Sequence, residues 1–523
     1  FEERNFLLRW LRESPSALRV QQSPRYLELA ARPADAEAFT TDEIRDLQVW
    51  SNLAWSDPAW VDRDSRLSAP KAKDRDYSED DKSILFGAQL EMVRSVIPKY
   101  REMADSGQIE LTTSPYYHPI LPLICHVDSA RTASPGIQLP HRHFSHREDA
   151  EQQIALGIST FERLLGRKPA GMWPSEMAVG EAVASLAVQA GLDWMISDED
   201  VLARSLEGGL ARDGEGRIMS PESLYEPYRI EREGHEVAMV FRDKILSNLV
   251  GFDYYRMSAQ DAVTDFMGRL RRIQEQQGDR EFLVTVALDG ENAWEFYPRD
   301  GHDFLNALYT ELDASPEVIS TTVADFLKKT PSRRPLHRLF TGSWINGSLD
   351  TWIGDPEHTV AWDLLAETRD WLDEFARNHP NKNEQLAGAW REILICEGSD
   401  WFWWFSRRHD SGMDVMWDNQ YRLHLRNVYK LLEAKPPSRL FEPIIVKEGS
   451  VNVQRPATEF TPHGVDDVAW AQAGKFEVSS GFGALHRPSG LASRLYYGSD
   501  QESLHIKVES SPSPPELAER GIT

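Results

Sequence analysis

Short apolar runs alternate with amphipathic helical patterns between residues 81 and 329, and this alternation restricts the fold more than any other feature. The helical pattern "DKSILFGAQLEMVRSVIPKYREMADSG" leads into "GQIELTTSP" (107–115), and "REDAEQQIALGISTFERLLG" leads into "AGMWPSE" (170–176). "GEAVASLAVQAG" precedes "LDWMISDED" (192–200), and "EVAMVFRD" (236–243) precedes "LSNLVGFDYY". "AQDAVTDFMGRLRRIQEQQGD" precedes "FLVTVALDGEN", and "VISTTVADFLKK" (318–329) reads as one more strand entering a helix. Such alternation predicts a parallel sheet or a (β/α) barrel. Polar groups gather where each run ends: Thr113 and Ser114, Glu176, Asp198 and Glu199, Arg242 and Asp243, then Asp289 and Glu291. In a parallel barrel every strand C-terminus opens on one face, and active sites sit there. The run Phe282–Leu288 therefore reads as a buried strand that surfaces into a site at Asp289.

Composition narrows the chemistry. The 523 residues are enough for more than one domain. Lys plus Arg is 58 against 83 Asp plus Glu, a formal charge of −25, which repels phosphate backbones and argues against nucleic acid as a partner. Two cysteines, Cys125 and Cys396, make neither a disulfide framework nor a zinc motif. No apolar run approaches the ~18 residues a membrane span needs. The opening "FEERNFLLRWLRES" has the pattern of an amphipathic helix rather than a signal peptide, so a cytoplasmic setting is expected. It begins on Phe1, and the expectation is that a preceding segment belongs to the protein. Aromatic residues make up 10% of the chain, with 17 tryptophans, which suits a large core and also platforms for stacking sugar rings.

Two carboxylates on different strand ends can perform glycoside chemistry, one attacking the anomeric carbon and the other protonating the leaving oxygen. The candidates are Glu176 in "GMWPSEMAVG" and Asp289 in "VALDGENAWE", with Glu291 as a second candidate acid. A retaining pair predicts carboxyl groups roughly 5–7 Å apart across one cleft.

"ELTTSPYYHPILPLI" (110–124), "GMWPSE" (171–176), "VALDGENAWE" (286–295), "GSWINGSLDTWIG" (342–354) and "EGSDWFWWF" (397–405) occur in the order found in glycoside hydrolase family 57. The chain resembles that family over most of residues 1–435. The family holds α-amylases, amylopullulanases, 4-α-glucanotransferases and α-glucan branching enzymes. The resemblance implies an α/β fold, an incomplete (β/α)7 barrel followed by a helical segment. It also implies a retaining mechanism with Glu176 as nucleophile and Asp289 as general acid/base. By the same resemblance His118 hydrogen-bonds a sugar, and Trp173, Trp294 and Trp401 wall the cleft, with Trp344 and Asn346 beside them. Asp400, Asp243 and Glu291 are candidate substrate binders, although Asp243 and Asp400 equally suit helix caps.

Three features depart from the family pattern. The His-Gln-Pro triplet that ends its first strand is absent, which places that strand before Phe1. "ICHVD" carries His126 where close relatives have an acidic residue, and "FRDKILSNLVGF" carries Lys244 and Asn248 where His and Asp are expected. No cofactor or metal is expected, since no "HExxH" and no Cys/His cluster occurs.

From about 355 the texture becomes helical: "TVAWDLLAETRDWLDEFARN", "NEQLAGAWREILICEG" and "NQYRLHLRNVYKLLEA" are amphipathic. After the break "AKPPSRLFEP" come short strand-like pieces with Gly and Pro turns. The expected organisation is a catalytic barrel over 1–335, a helical segment completing the cleft over 336–435, and a β-sandwich-like module over 441–523. The expected partner is an α-glucan, cut or transferred through a covalent glycosyl-enzyme. The rival readings are a metal-dependent α-mannosidase-like hydrolase and a non-catalytic glucan-binding protein.

Overall fold

A computed structural model describes residues 7–8, 10–12, 20–32, 38–232, 234–278, 280–290, 293–330, 333–445, 470, 473–477, 492–499 and 503–510. Strands β1 (Gly171–Met172), β2 (Trp194–Asp198), β3 (Tyr228–Arg232), β4 (His235–Arg242) and β5 (Arg334–Pro335) form one sheet in the order β1-β2-β4-β3-β5. β1, β2 and β4 are parallel, whereas β3 folds back antiparallel on β4. Single parallel bridges widen the array: Thr113 beside Met172 at one side, Thr285 beside Arg242 at the other. The result is an α/β fold, mostly helical, around a parallel-rich sheet.

Alternation along the strands explains why both faces are apolar. Met195 of β2 and Val237, Met239 and Phe241 of β4 enter the main core. Their neighbours Trp194, Ile196, Ala238 and Val240 face the other way, with Met177 and Ala287, into an interior cluster. A strand that buries both faces has no room for the polar half of an amphipathic pattern.

The segment 282–288 differs from the expected strand. It bridges β4 only at Thr285, and Leu283, Val284 and Val286 are half-buried. The run 318–322 pairs with nothing among the described residues, and Ile319 is 81% exposed. A side chain spans the gap where a strand ladder does not. Glu110 accepts the Trp194 indole N–H at 2.8 Å and the backbone N–H of Ala324 at 2.9 Å. It thereby ties the segment before Thr113 to the helix Val323–Lys329.

This fixes Trp194 tightly, and Gly171 depends on it. A Cβ at Gly171 would lie 2.1 Å from Trp194 Cε2. The indole cannot withdraw without releasing Glu110, so Gly171→Ala is expected to cost about 1–3 kcal/mol. Urea unfolding of the two proteins measures this, and an unchanged midpoint would show that the indole yields.

The three later helical patterns form the helices Pro356–Asn378, Asn383–Cys396 and Asp414–Leu431. Trp362, Phe402, Tyr421 and Leu425 from this region share one core with Met172 and Met195 of the sheet. A second, smaller core lies in a helical bundle that includes the pattern ending at Gly107. There Tyr26, Leu29, Leu47, Trp50, Leu67 and Leu85 meet. Its two longest helices, Thr41–Ala54 and Glu79–Asp105, each start at a capping box, on Thr40 and Ser78. In the C-terminal part β6 (Gly474–Glu477), β7 (Ala492–Ser499) and β8 (Leu504–Ser510) form an antiparallel sheet. The expected sandwich over 441–523 lies largely outside the described residues. No helix among the described residues is long and apolar enough to cross a membrane.

Candidate active site

β1 runs directly into Trp173-Pro174-Ser175-Glu176. Glu176 (φ 55°, ψ 24°) and Met177 (φ 51°) both take left-handed backbone. That conformation costs a non-glycine residue about 1–2 kcal/mol and persists only where neighbours hold it. Here Met177 N–H returns to Pro174 O at 2.8 Å and the Met177 side chain is buried in the interior cluster. Trp344 grips Glu176 twice. Its backbone N–H donates to Glu176 O at 3.1 Å, and its indole N–H donates to Oε2 at 2.7 Å.

Trp344 is itself held between two groups. Trp173 meets it edge to face at 5.8 Å, and the Arg242 guanidinium stands 4.9 Å from its ring centroid. Arg242 donates from Nε to Asp198 Oδ2 at 2.5 Å and from Nη1 to Ala287 O at 3.1 Å. Burial pushes the Asp198 carboxyl up, and the Arg242 charge opposes that rise. A continuous set of contacts therefore runs from Glu176 through Trp344 and Arg242 to Ala287, two residues before Asp289. Leu283 and Ala287 pack in the interior cluster, and half-buried Asp289 follows two residues further on. Both candidate carboxylates follow the C-terminal ends of parallel segments.

His118 approaches from the neighbouring loop. Ser114 Oγ donates to Trp173 O at 3.0 Å, which ties that loop to the Glu176 turn. His118 is also left-handed (φ 57°), and its Nδ1 lies 2.8 Å from Ser399 Oγ. Asp400, the next residue, is exposed in the first turn of the helix Ser399–Phe405. Hydrogen bonds and ring contacts thus link the His118 loop, Trp173, Glu176 and Trp344, and Asp400 follows Ser399.

The other expected site residues have partners of their own. Asp243 is 1% exposed and caps the helix Lys244–Asn248 through Leu246 N–H. It also accepts the Tyr225 hydroxyl at 2.6 Å and faces Arg212 at 3.1 Å, so its oxygens are engaged inside the protein. The neighbour Arg242 takes the interior position instead. Counting in twos from Ala238 and Val240 reaches Arg242, not Asp243, and this signal was present in the sequence. Trp294 packs on Tyr297 at 5.4 Å, with the outer cluster around Tyr254 and Phe304. Trp401 donates its indole N–H to Ile395 O at 2.7 Å and packs on Trp417 and Tyr421. Asn346 is exposed, and its carbonyl accepts from Arg204 at 3.0 Å. Lys244 pairs with Asp200 at 2.6 Å. Glu291 lies outside the described residues.

Behind the His118 loop sits a buried polar network. Gln153 accepts Tyr116 N–H on its backbone oxygen and Tyr117 N–H on Oε1, both at 3.0 Å. Its Nε2 donates to Leu394 O and to Glu397 Oε2, both at 2.9 Å. Glu397 is fully buried, and its Oε1 meets no donor among the described residues. Burial, with the nearby Asp149 charge, holds this carboxyl well above the usual carboxylate range. Asp149 in turn receives Arg369 Nε at 2.7 Å. Burial thus favours the neutral form of Glu397.

The unfolded chain releases the Glu397 proton at about pH 4.3, so above this the native state binds more protons than the unfolded one. The contribution of Glu397 to stability is then present at low pH and falls as pH rises toward its folded value. Glu397→Gln mimics the protonated acid at every pH. Its stability relative to the parent is expected to climb with pH from 5 to 8, by up to about 1.4 kcal/mol per unit. Denaturant midpoints across that range measure the slope, and a flat difference would mean an ionised Glu397.

Comparisons with known proteins bear on the fold and the family. The model of Glycosyl hydrolase family 57 matches residues 4–336. A 1,4-alpha-glucan branching enzyme of Thermococcus kodakarensis is 22% identical over 380 residues, covering 58% of this chain and 51% of that protein. The chain thus spans about half the length of this curated relative. Among solved structures, a family 57 branching enzyme from the same archaeon superposes with a TM-score of 0.53 at 17% identity, over 81% of this chain and 86% of the other. The alpha-amylase AmyC of Thermotoga maritima gives 0.50 at 15% identity, over 83% and 89%. These likenesses bear on the fold, and the match over 4–336 fixes the family: the chain belongs to glycosyl hydrolase family 57.

Proposed function

We propose that the protein is a retaining α-glucan-active enzyme that works through a covalent glycosyl-enzyme. The observation behind this reading is the double grip of Trp344 on Glu176, joined through Arg242 to the segment that ends in Asp289. The indole N–H on Oε2 orients the Glu176 carboxylate, which attacks the anomeric carbon as the glycosidic C–O bond breaks. Asp289 gives its proton to the departing oxygen. It then takes a proton from water, giving hydrolysis, or from a sugar hydroxyl, giving transfer. The glucan preference rests on the named activities of the relatives, a branching enzyme and an amylase. His118 and Asp400 are the proposed sugar-hydroxyl partners, and Trp173 a wall of the cleft. The finer architecture proposed is an incomplete (β/α)7 barrel over 1–335, helices over 336–435 and a β module over 441–523.

Product analysis on maltoheptaose, amylose and pullulan, with NMR of the first-formed anomer, tests the reading. New α-linked products with retained configuration are expected. An inverted anomer would remove the covalent intermediate. Products from aryl mannosides alone, lost with a chelator, would favour the mannosidase-like rival, and no turnover at all would favour a glucan-binding protein.

A further inference from the structure

Linear spacing shows no metal set in this chain, but folding assembles one from residues that the proposed reaction does not use. Two segments lie clamped side by side. Val127 N–H donates to Phe144 O at 3.0 Å, His146 N–H to Ile124 O at 2.9 Å, and Ser145 Oγ to Cys125 O at 2.9 Å. Val127, Phe144 and Cys125 are buried in the main core, which makes this base rigid. His126 and His143 project from it to the exterior, with Asp128 half-buried between the two segments. The two rings meet edge to face at 4.6 Å. Asp128 Oδ2 is 3.7 Å from His126 Nδ1 and 3.9 Å from His143 Nδ1. One donor atom from each of the three residues fits within a 4.8 Å span.

Ligand atoms bound tetrahedrally at about 2.0–2.1 Å stand roughly 3.3–3.5 Å apart. The observed spacings exceed this by amounts that small side-chain rotations remove. His126 Nδ1 already accepts the Asp128 backbone N–H at 3.2 Å, so in the neutral ring its lone pair points into the turn. An ion would take over that lone pair and keep the same tautomer, with Nε2–H toward water.

We propose that His126, Asp128 and His143 form a binding site for one divalent ion of the zinc class. Two imidazoles and one carboxylate suit Zn²⁺, and also Ni²⁺, Co²⁺ and Cu²⁺, whereas Mg²⁺ and Ca²⁺ favour oxygen ligands throughout. Water completes the coordination. The ion clasps the turn after Cys125 to the segment around Phe144. The site stands independently of the proposed reaction.

The test uses tag-free full-length protein, stripped with a chelator and titrated with Zn²⁺ by calorimetry and with Co²⁺ by visible absorption. One equivalent is expected, with d–d bands for Co²⁺ and a rise in melting temperature with Zn²⁺. His143→Ala and Asp128→Ala should each weaken binding by at least about tenfold and remove the melting shift. His141→Ala and His146→Ala, neighbouring histidines outside the set, should leave both unchanged. His143 is exposed, so its loss should not unfold the chain, and His143→Gln is the second variant if it does. No saturable binding, binding that survives the His143 variants, or binding lost with His141 would each overturn the site.

Discussion

Glu176→Ala is expected to lose about 10⁵-fold or more in kcat on every substrate, whatever its leaving group. The covalent intermediate needs a carboxylate at that position, and no leaving group substitutes for a missing nucleophile. The variant should fold, because the turn is held largely by backbone bonds from Met177 and Trp344. Unchanged circular dichroism checks this. The vacated space admits a small anion. Azide with an activated aryl α-maltoside should therefore give a β-maltosyl azide, by one displacement with inversion. Wild-type-like turnover would assign the nucleophile elsewhere.

Asp289→Ala should behave differently because it removes a proton rather than an electron pair. On maltoheptaose the loss is expected to be about 10²–10⁴-fold. On an aryl α-maltoside with a good leaving group it should be much smaller, since the oxygen departs without help. The glycosyl-enzyme then forms but hydrolyses slowly, and azide should speed turnover and give an α-maltosyl azide, retained through two displacements. The configuration of the two azides thus assigns the two roles. If Glu291 variants show the leaving-group dependence and Asp289 variants do not, the acid is the other member of "DGE".

The periodic elements could be read from the sequence where pattern and surroundings agree. β2 and β4 are continuous apolar runs because both faces are covered, and the later helices repeat at helical spacing because one stripe faces the core. Glu176 stands where the chain leaves β1, and contacts through Trp344 and Arg242 link it to Ala287, two residues before Asp289. Legibility ended where a side chain's direction decides its role. Asp243 and Arg242 are both polar strand-end residues, and only parity along β4 separates the buried cap from the group under Trp344. Trp401 and Trp294 were legible as aromatic, but which ring or carbonyl each meets depends on elements distant in sequence. Of the helical bundle around Trp50, only the long helix Glu79–Asp105 carries an extended periodic signature, whereas Pro58–Arg63 and Ser65–Lys73 are too short to show one. The strand expected at 282–288 is limited to one bridge because pairing depends on the neighbour across the gap, which local pattern does not encode.

The shared core has a consequence for how the chain reaches its folded state. His118 and Ser399 are 281 positions apart yet bonded, and Gln153 meets Leu394 and Glu397 across similar separations. Tyr421 and Leu425 close the same core that holds Met172. During synthesis the early strands therefore emerge long before their partners and have little to bury against. The helix Asp414–Leu431 must leave the ribosome before the sheet can be sealed. Until then Met172, Met195 and Met239 remain open to solvent and to other nascent chains, so this protein should depend on holdase chaperones late in translation. A fragment ended at residue 336, where the family match stops, would keep that exposure permanently and should aggregate rather than fold.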